Sequence, residues 1–599
     1  MNERKDQLGT ARALEWLAAH WRWVTVVAWA LLCAWFLYAR WANIPQFALG
    51  DTDDNLRISQ VRALLHGQDW FDLRQYRLNP PTGANIHWSR LVDLPLAGLI
   101  LALRPLVGGV IAEQAAVAIA PLLPLLLLLV SLALIVRRLI DPRAFIFAFA
   151  ALVFAGSTTG MFMPLRIDHH GWQLALLALA LAGLADPRPA RGGATLGLAT
   201  ALSLAIGLEL LIYLGLAGVA MVLFWVADAA ERRRLAAYAV TLAGGTALGF
   251  LLFASYANRL AVCDALSPVW LSDALLGGGL LFGMALVTPG NWKQRLGLAV
   301  VAGAIIAAFH ALMWPHCLSR LEGVSPEVEQ LWLSHVREAR PVYRHGAQTA
   351  TLIVALPITG LIGWGLLAWR NRIDASLLRR TLAAATPAFA AALLLLWQTR
   401  TGPAAQMLAA PGAAALVWLL APLAANARSS MVRIFGLTAV VIVGLGAAVP
   451  LIVGQIPAKK LDKREIAINR ANRLCNSMWA LRPIAMQPKG MVFSFVDYGP
   501  RLIAVTHHDA VTGPYHRNGE QIADVMKAFR GPPEQTRAIL TKYRADYLLT
   551  CPMSSTTTIF MSEAPKGFYA QLEKGQVPAW LQRIELPKDS PFKMWRVTR

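Results

Sequence analysis

Long apolar runs separated by short polar loops are the feature that most constrains how this chain folds. We count roughly thirteen runs that approach the ~20 residues needed to cross a bilayer. The chain has 599 residues, of which 56% are hydrophobic and only 15% charged, whereas soluble domains carry about 25% charged residues. We therefore predict a polytopic α-helical membrane protein. The runs lie near 24–40, 110–136, 144–162, 171–185, 194–208, 210–228, 236–254, 269–288, 296–314, 347–369, 381–397, 405–425 and 433–455.

Every second loop between these runs is basic, and this alternation predicts the side of the membrane on which each loop lies. Arg4, Lys5 and Arg12 precede the first run, and Arg137 and Arg138 follow the second. Because Arg and Lys collect in cytoplasmic loops, we predict a multi-pass protein of the bacterial inner membrane with a cytoplasmic N-terminus and a periplasmic C-terminus. The first run is too long for a signal-peptide core, so we expect an uncleaved span. The other basic residues of the loops predicted as cytoplasmic are Arg143, Arg188, Arg191, Arg232, Arg233, Arg234, Lys293, Arg295, Arg370, Arg372, Arg379, Arg380, Arg428 and Arg433.

The net charge and the cysteines argue against two common classes of protein. The net charge of +21 is concentrated in the loops, and no basic stripe with interleaved aromatic residues is present, so we expect no nucleic-acid partner. The five cysteines show no Cys-x-x-Cys spacing of a zinc site. Cys263, Cys317, Cys475 and Cys551 fall on the predicted outer side, where a Cys475–Cys551 disulfide and free thiols are both compatible with the sequence.

The apolar runs define a membrane module, residues 1–456, with two long loops on the outer side. These loops are residues 41–109 and 315–346. No internal repeat is visible in the module. An inverted-repeat transporter is therefore less well supported than a membrane enzyme.

Residues 457–599 have a mixed pattern that predicts a small α/β domain outside the membrane. Strand-like runs at 491–496 and 547–549 flank helical stretches at 519–530 and 533–544. The fold class is thus a bundle of about thirteen transmembrane helices followed by a periplasmic α/β domain.

The first outer loop begins with an acidic cluster. Asp51, Asp53 and Asp54 lie within four residues and are followed by Arg57. Carboxylates this close repel one another unless a cation or an arginine offsets them. Because Asp is also a favoured N-cap, a simple cap of the following helix remains an alternative to a binding site.

A second cluster, residues 166–170, interrupts an apolar hairpin at the outer face. It contains Arg166, Asp168, His169 and His170. Ionisable groups at a membrane boundary are costly and usually functional, and a carboxylate with a neutral imidazole suits Mg²⁺ or Mn²⁺. The alternative is a polar turn held by an Arg166–Asp168 ion pair.

Further candidates lie in the second outer loop and beside a late span. Glu327, Glu329 and Glu338 are all available in the loop, and spacing alone does not choose between a site and an amphipathic surface helix. Arg400 lies just outside a span. It could contact a phosphate or extend to the membrane interface.

Taken in chain order, these motifs resemble the catalytic subunit of oligosaccharyltransferase, a GT-C membrane glycosyltransferase, in its bacterial and archaeal form. Residues 51–57 are similar to its first-loop pattern Asp-Pro-Trp-x-x-x-Arg, and residues 168–170 to its second-loop metal motif. Residues 336–341 resemble Val-Ser-Glu-x-x-Pro, which singles out Glu338. Residues 494–499 resemble Ser-Trp-Trp-Asp-Tyr-Gly. About thirteen spans with an outer C-terminal domain are also that family's architecture.

The resemblance implies a divalent cation, Mg²⁺ or Mn²⁺, held by Asp51, Asp168, His169, Glu338 and His516. The cation would bind the phosphate or pyrophosphate of a polyprenyl-linked sugar donor within the membrane lipids and stabilise it as a leaving group. Asp51 and Glu338 are implied as catalytic residues that position the acceptor for inverting attack at the anomeric carbon. The residues expected to contact substrate are Asp53, Asp54, Arg57, Arg166, His170, Arg400, Asp497 and Tyr498.

One departure from the family pattern concerns the acceptor. The two tryptophans that recognise the Ser or Thr of the Asn-x-Ser/Thr acceptor are replaced here by Phe495 and Val496. A site that loses its hydrogen-bond donors for a hydroxyl also loses discrimination for it. The acceptor could therefore be another protein site, a lipid or a growing glycan.

Three alternative functions stay open on the sequence alone. The first is a GT-C enzyme that moves a single sugar from a polyprenyl monophosphate on to a lipid or polysaccharide. The second is a transporter or flippase of a lipid-linked glycan, for which an intramembrane Glu209 would be a candidate. The third is a scaffold without catalytic activity.

Overall fold

The computed structural model describes residues 15–319, 321–457 and 461–598. Arg4, Lys5 and Arg12, used above to orient the N-terminus, lie outside the described residues. In chain order the helices of the membrane module are α1 (Trp21–Arg40), α2 (Thr52–Leu65), α3 (Asp93–Val107), α4 (Gly109–Ile119), α5 (Leu122–Leu139), α6 (Phe145–Val153), α7 (Gly156–Thr159), α8 (His170–Ala185), α9 (Pro189–Ile206), α10 (Leu211–Ala227), α11 (Arg232–Phe253), α12 (Pro268–Val287), α13 (Trp292–Met313), α14 (Pro326–Leu331), α15 (Ala347–Arg370), α16 (Ala375–Leu394), α17 (Gly402–Ala425), α18 (Ser430–Gly444) and α19 (Val449–Gln455).

The membrane-spanning character of the module is confirmed, and the structure adds where its helices bend. Among the described residues, 8 helical segments are long and apolar enough to cross a bilayer, or up to 10 if each bent pair is one span. Helices α6 and α18 are each followed by a sharp bend, of 78° and 85°, and α8 and α10 are shorter than a full span. Each bent pair coincides with one predicted apolar run, 144–162 or 433–455, because apolar composition does not record where a helix bends.

The first outer loop, predicted over 41–109, contains the two helices α2 and α3. Helix α3 lies inside the predicted loop 41–109, and together with α4 and α5 it belongs to one long apolar segment, Arg90–Leu139. The polar part of the loop therefore ends near residue 92. Helix α2 is the main element of this polar part, and it carries the acidic cluster at its N-terminus.

Two of the membrane helices cross unusually closely. A Cβ atom added to Gly363 on α15 would lie 1.8 Å from the carbonyl oxygen of Gly412 on α17. Only glycine fits at such a crossing, as is common where membrane helices pack backbone to backbone. This contact belongs to the main apolar core of the bundle.

The loops predicted as cytoplasmic meet at one end of the bundle. The carboxylate of Asp186, after α8, pairs with Arg138 at 2.9 Å and with Arg191 at 2.6 Å. Arg234 donates to the carbonyl oxygen of Asp186, and Arg380 to that of Ala185. The acidic and histidine motif lies at the other end of α8, about 24 Å away for a helix of 16 residues.

The C-terminal tail forms the predicted small α/β domain. Its five-stranded sheet has the order β2-β1-β3-β5-β4; β1 pairs in parallel with β2 and β3, and β5 pairs antiparallel with β3 and β4. The predicted helices at 519–530 and 533–544 are confirmed. The elements are α20 (Lys463–Cys475), α21 (Met478–Ala485), β1 (Met491–Phe493), α22 (Gly499–Val505), β2 (Asp509–Ala510), α23 (Gly519–Arg530), α24 (Pro533–Lys542), β3 (Tyr547–Thr550), α25 (Ser555–Glu563), α26 (Phe568–Glu573), β4 (Leu581–Ile584) and β5 (Lys593–Val597).

This domain is fixed to the first outer loop by backbone pairing. Asn79 donates its N–H to the carbonyl of Ala510 at 2.8 Å, and Ala510 donates to the carbonyl of Arg77 at 2.9 Å. The loop thus extends the edge of the sheet next to β2. The Arg77 guanidinium adds hydrogen bonds to the carbonyls of Ile503, Thr506 and His508.

Two disulfides are present, one more than the sequence suggested. Cys475 and Cys551 are bonded within the C-terminal domain, so of the two alternatives that the sequence left open, the disulfide is the one present. Cys263 and Cys317 are also bonded, and they join the segment after α11 to the start of the second outer loop. Cys33, buried in α1, is free.

Candidate active site

The first acidic cluster is both a helix cap and part of a site. Asp51 has an extended backbone and accepts a hydrogen bond from the N–H of Asp53, so it is the N-cap of α2, as the alternative interpretation proposed. Asp54 is fully buried, and its Oδ1 accepts the N–H groups of Ile167 and Asp168 at 2.8 and 3.1 Å. These two bonds dock the second cluster against the first.

Arg166 bridges the carboxylates of the two clusters. Its guanidinium lies 2.5 Å from Asp51, 3.2 Å from Asp54 and 2.7 Å from Asp168. The expected Arg166–Asp168 pair is present, but it is one contact among three. Arg166 is therefore a fixed counter-charge inside the site, and its remaining capacity to bind substrate is small.

Asp53, Asp168 and His170 form the group that could hold a cation. One carboxylate oxygen from each aspartate and one imidazole nitrogen lie within 4.8 Å of one another. Ligand atoms that share one divalent cation at normal bond lengths lie about 3–4.4 Å apart, so these three atoms need to approach only slightly. Two carboxylates and an imidazole suit Mg²⁺, Mn²⁺ or Zn²⁺. The residues present therefore fit a divalent cation.

The electrostatics of the cluster favour a cation on the side that Arg166 does not cover. Burial raises the pKa of Asp53 well above its usual range, and the neighbouring Asp51 and Asp168 carboxylates raise it further. Burial also raises the pKa of Asp54, to about 7. At Asp51 burial again opposes ionisation, but Arg166 outweighs it and lowers the pKa. A positive ion beside Asp53 would relieve this repulsion.

The structure exchanges the roles expected for the two histidines. His170, expected to contact substrate, joins the group of Asp168. His169, expected as a metal ligand, instead lies 2.7 Å from Glu209 through Nε2. Its Nδ1 is buried and has no hydrogen-bond partner. In the sequence Glu209 is recognisable only as a candidate transporter residue, and its position between two apolar runs is the available signal.

His516 lies in a separate group. Its Nε2 is 2.5 Å from a carboxylate oxygen of Asp264, which Arg517 also binds. His87, Asp264 and His516 form a second set of possible ligand atoms within 4.8 Å of one another. His516 is therefore not placed with Asp168 as the resemblance implied. Asp264 was missed because a single acidic residue beside a cysteine carries no recognisable pattern.

Glu338 and Arg400 lie in neighbouring turns, and neither belongs to the group of Asp53, Asp168 and His170. The side chain of Glu338 is exposed, and its carbonyl accepts the hydroxyl of Thr399. Arg400 lies 3.7 Å from Glu322. The grouping of possible ligands that contains Asp168 includes neither Glu338 nor Asp51. The implied five-residue metal set is thus not assembled in this structure.

Of three other residues predicted to contact substrate, two are buried and one is exposed. Arg57 is 1% exposed, pairs with Asp93 at 2.9 Å and lies over the ring of Trp88. It ties α2 to the segment at residues 89–93, since it also donates to the carbonyl of Ser89. Tyr498 is buried against Phe592, whereas Asp497 is exposed.

Phe495 and Val496 point into the core of the C-terminal domain. They are 1% and 4% exposed, and the ring of Phe495 lies 4.8 Å from that of Phe529 and 5.5 Å from that of Phe560. Neither side chain can donate a hydrogen bond to an acceptor. The position of the family's hydroxyl-reading residues is thus occupied by packing residues.

Known structures share this fold, although the sequences have diverged. No protein-family model and no curated protein sequence matches the chain. The Archaeoglobus fulgidus oligosaccharyltransferase in its apo form matches with a TM-score of 0.70 and 16% identity, over 96% of this chain and 75% of that chain. Archaeal oligosaccharyltransferase AglB from Archaeoglobus fulgidus, in complex with an inhibitory peptide and a dolichol-phosphate, gives 0.69 and 16%, over 95% and 73%.

A third structure, an Archaeoglobus fulgidus oligosaccharyltransferase complex with zinc and sulfate, matches with a TM-score of 0.58 and 15% identity, over 96% of this chain and 73% of that chain. At these identities the likeness establishes the fold. The match extends over the membrane module and the C-terminal domain together, since it covers nearly the whole chain. The chain therefore has the fold of the oligosaccharyltransferase-like GT-C membrane proteins.

Proposed function

We propose that this chain is a membrane glycosyltransferase that moves a glycan from a polyprenyl phosphate or pyrophosphate donor to an acceptor at the periplasmic face of a bacterial inner membrane. The observation that carries the proposal is the convergence of Asp53, Asp168 and His170 within 4.8 Å, at the opposite end of α8 from the basic loops. The dolichol-phosphate in the AglB structure supports a lipid-linked donor. The zinc in a further structure of the same fold supports a divalent cation.

The residues of the candidate site have different roles in the proposed reaction. Asp53, Asp168 and His170 would hold a divalent cation, which when bound supplies positive charge for the leaving phosphate. Arg166 keeps Asp51 and Asp168 ionised and in place. Two acidic loops are thereby held rigidly before substrate arrives, which is the condition for electrostatic catalysis.

The transfer step requires a nucleophile aligned with the anomeric carbon. The acceptor atom forms a bond to that carbon as the bond to the phosphate oxygen breaks, with inversion, and the phosphate leaves with the electron pair. Asp51 would accept the acceptor's proton or orient the acceptor; its side chain is 42% exposed, which supports this role. A part for Glu338 in this step is proposed from the family resemblance alone; the second outer loop that carries it is linked by Thr399 to the turn of Arg400.

The acceptor is proposed to differ from the Asn-x-Ser/Thr peptide. Phe495 and Val496 are buried and lack polar side-chain atoms, so a hydroxyl two residues after Asn has no donor at this position. Discrimination between peptides with and without that hydroxyl is expected to be weak. The proposed acceptor is therefore another protein site, a lipid or a glycan.

The proposal is tested with the purified full-length chain in proteoliposomes containing Mn²⁺. The donors are undecaprenyl pyrophosphate carrying one N-acetylglucosamine and the same lipid carrying its trimer. Transfer to membrane lipids, peptides and glycans is followed by mass spectrometry, and release of undecaprenyl pyrophosphate is quantified. Asp168→Ala is expected to abolish release, whereas Asp589→Asn, on the surface of the C-terminal domain, should leave it unchanged.

The alternatives give different outcomes in the same experiment. Activity only with undecaprenyl monophosphate carrying one sugar would support the single-sugar enzyme. Movement of intact donor across the vesicle, without cleavage, would support a transporter. If correctly folded protein shows neither transfer nor transport, the proposal is contradicted. The scaffold without catalytic activity is then the remaining alternative.

A further inference from the structure

The first two helices of the C-terminal domain, α20 and α21, carry exposed basic side chains without an acidic partner. Within the described part of the chain, none of these side chains takes part in an ion pair or a hydrogen bond. The acidic residues beside them, Asp462 and Glu465, lie at the start of α20, where they form a capping box. The positive charges are therefore available to an anionic ligand. The exposed basic residues are Lys463, Arg464, Arg470 and Arg473 on α20 and Arg482 on α21.

Large apolar side chains are exposed between these basic residues. On α20, Ile466 is exposed on the helix face that also carries residues 463, 470 and 473. On α21, Trp479 and Met486 share one face with Arg482, and they are 39% and 84% exposed. We call these exposed basic and apolar residues together the α20–α21 surface. The opposite face of α21 is buried in the core of the domain and consists of Ala480, Leu481 and Ile484.

One end of the α20–α21 surface is tied to the last membrane helix. Helix α19 follows α18 after a bend of 85° and exposes Leu451 and Ile452, so it lies along the membrane boundary. The carbonyl of Ile456 accepts a hydrogen bond from Gln348, beside the first residue of α15. Helix α20 then begins at Lys463. Because seven residues of extended chain span at most about 25 Å, the start of α20 lies close to the membrane.

The other end of the surface is tied to the first membrane helices. The carbonyl oxygen of Gln487, just after α21, lies 2.9 Å from Nε2 of His507. Three residues before this histidine, Ala504 packs against apolar residues of α3 and α4. Arg62 fixes that contact, since it donates to the carbonyl of Ala504 and pairs with Glu113 of α4 at 2.7 Å. Both ends of the α20–α21 surface are therefore held near the outer boundary of the membrane module.

The combination of side chains on this surface matches a lipid bilayer better than a small anion. Lys and Arg are attracted to anionic headgroups, and tryptophan is enriched where protein meets the membrane interface. Helices that lie on membranes combine basic and large apolar side chains in this way. A free phosphate ion would use the basic residues but would leave Ile466, Trp479 and Met486 in water. A bilayer accounts for both kinds of side chain.

We propose that the α20–α21 surface docks on the outer leaflet of the membrane, where it binds the phosphate headgroups of anionic phospholipids. This docking goes beyond the proposed function and does not depend on sugar transfer. It gives the C-terminal domain a second support, in addition to its backbone pairing with the first outer loop at Asn79 and Ala510.

The experiment measures whether a nitroxide label on this surface of the full-length chain lies in lipid or in water. Cys33→Ala removes the free thiol, and Met486→Cys then places the label on the surface. Leu451→Cys on α19 is the lipid reference, and Val577→Cys, at an exposed position of the C-terminal domain outside the surface, is the water reference. Electron paramagnetic resonance compares collisions of each label with oxygen, which concentrates in lipid, and with a water-soluble nickel chelate. The liposomes contain phosphatidylcholine with or without phosphatidylglycerol.

We expect the label at position 486 to match the lipid reference with phosphatidylglycerol and to shift toward the water reference without it. One basic residue near an anionic surface favours binding about 5-fold. The double substitution Arg470→Glu and Arg473→Glu should therefore move the label toward the value at position 577 even with phosphatidylglycerol. Lys566→Glu with Lys588→Glu makes the same change of charge at exposed positions outside the surface, and it should leave the label unchanged. Equal melting temperatures of the two double variants show that both are folded.

Three results would overturn the proposal. A label at position 486 that is as accessible to nickel as the one at position 577, with phosphatidylglycerol present, would show that the surface stays in water. Equal burial with and without phosphatidylglycerol, unaffected by the charge reversal, would show that anionic headgroups are not recognised. A label that is protected in native membranes but exposed to water in pure lipid would assign the surface to an acidic protein partner.

Discussion

The Nε2 atom of His169 lies 2.7 Å from Oε1 of Glu209, where α8 meets the turn before α10. The imidazole is buried, whereas the Glu209 side chain is 36% exposed. Gln173 donates to the second oxygen of the same carboxylate at 2.6 Å. The turn is shaped for this pair, because a Cβ atom on Gly207 would lie 2.5 Å from Oε2 of Glu209. Glu209 thus fixes the ring that precedes the candidate cation ligand His170.

Removal of Glu209 is expected to impair catalysis without unfolding the chain. Loss of a residue that orients a metal-site segment typically costs about 10–100-fold in metal affinity or activity. We therefore expect Glu209→Ala to lower kcat and to weaken Mn²⁺ binding within that range. Glu209→Gln keeps a hydrogen-bond partner of the same size and should retain more of both. The measurements are steady-state kinetics and Mn²⁺ titration followed by electron paramagnetic resonance.

A matched pair elsewhere in the bundle provides the control. His310 on α13 lies 2.7 Å from Asp273 on α12, with partial burial of both side chains. Asp273→Ala removes a carboxylate–imidazole contact of the same length, so it should affect stability without changing kcat or Mn²⁺ affinity. If Asp273→Ala and Glu209→Ala lower kcat equally, Glu209 has only a structural role.

The two adjacent histidines are expected to differ in their effect on cation binding. His170 belongs to the group with Asp53 and Asp168, whereas the Nε2 of His169 is occupied by Glu209. His170→Ala removes a proposed ligand and should weaken Mn²⁺ binding more than His169→Ala does, by about 10-fold. The same titration checks this order. The reverse order would show that the ligand set implied by the family resemblance is correct and the set seen here is not.

The architecture could be predicted from the sequence because its signals are local. The apolar runs, the basic loops and the strand at 491–496 each depend on neighbouring residues, and the structure confirms a helical membrane module followed by an α/β domain. Local signals do not report bends, so the breaks after α6 and α18 were missed. They also do not report that α3 lies inside the predicted loop.

The site could be predicted only in part, because it depends on contacts between distant segments. The sequence motifs identified Asp53, Asp168 and His170 as candidate site residues. They did not show which of the candidates could share one ion. Asp264 reaches His516 across 252 positions, and no spacing rule relates residues so far apart. The Cys263–Cys317 pairing was missed for the same reason, since it depends on how the second outer loop folds back.

Arg77 is expected to hold the C-terminal domain to the first outer loop. Its guanidinium donates to three carbonyls of that domain, at Ile503, Thr506 and His508. Arg77→Ala leaves these carbonyls without a charged donor, which should cost about 2 kcal/mol of stability. We expect the melting temperature of the purified protein to fall by about 2–5 °C.

An exposed arginine of the same domain is the control for that measurement. Within the described part of the chain, the ion pair of Arg583 is with Glu585, and its side chain is 62% exposed. Surface pairs of this kind contribute little, about 0–1 kcal/mol. Arg583→Ala should therefore leave the melting temperature within error of wild type. A fall as large as that of Arg77→Ala would mean that the domain contact is not specific to Arg77.

The thiol content of the purified chain tests both the disulfides and the predicted side of the membrane. Four of the five cysteines form the pairs Cys263–Cys317 and Cys475–Cys551, which leaves Cys33 free. Protein unfolded in detergent without reductant should therefore react with one equivalent of a maleimide, and with five after reduction. Disulfides persist in the periplasm and are rare in the cytoplasm, so a value near one supports the periplasmic placement of the second outer loop and the C-terminal domain. A value near five before reduction would contradict both pairings and favour a cytoplasmic position for these segments.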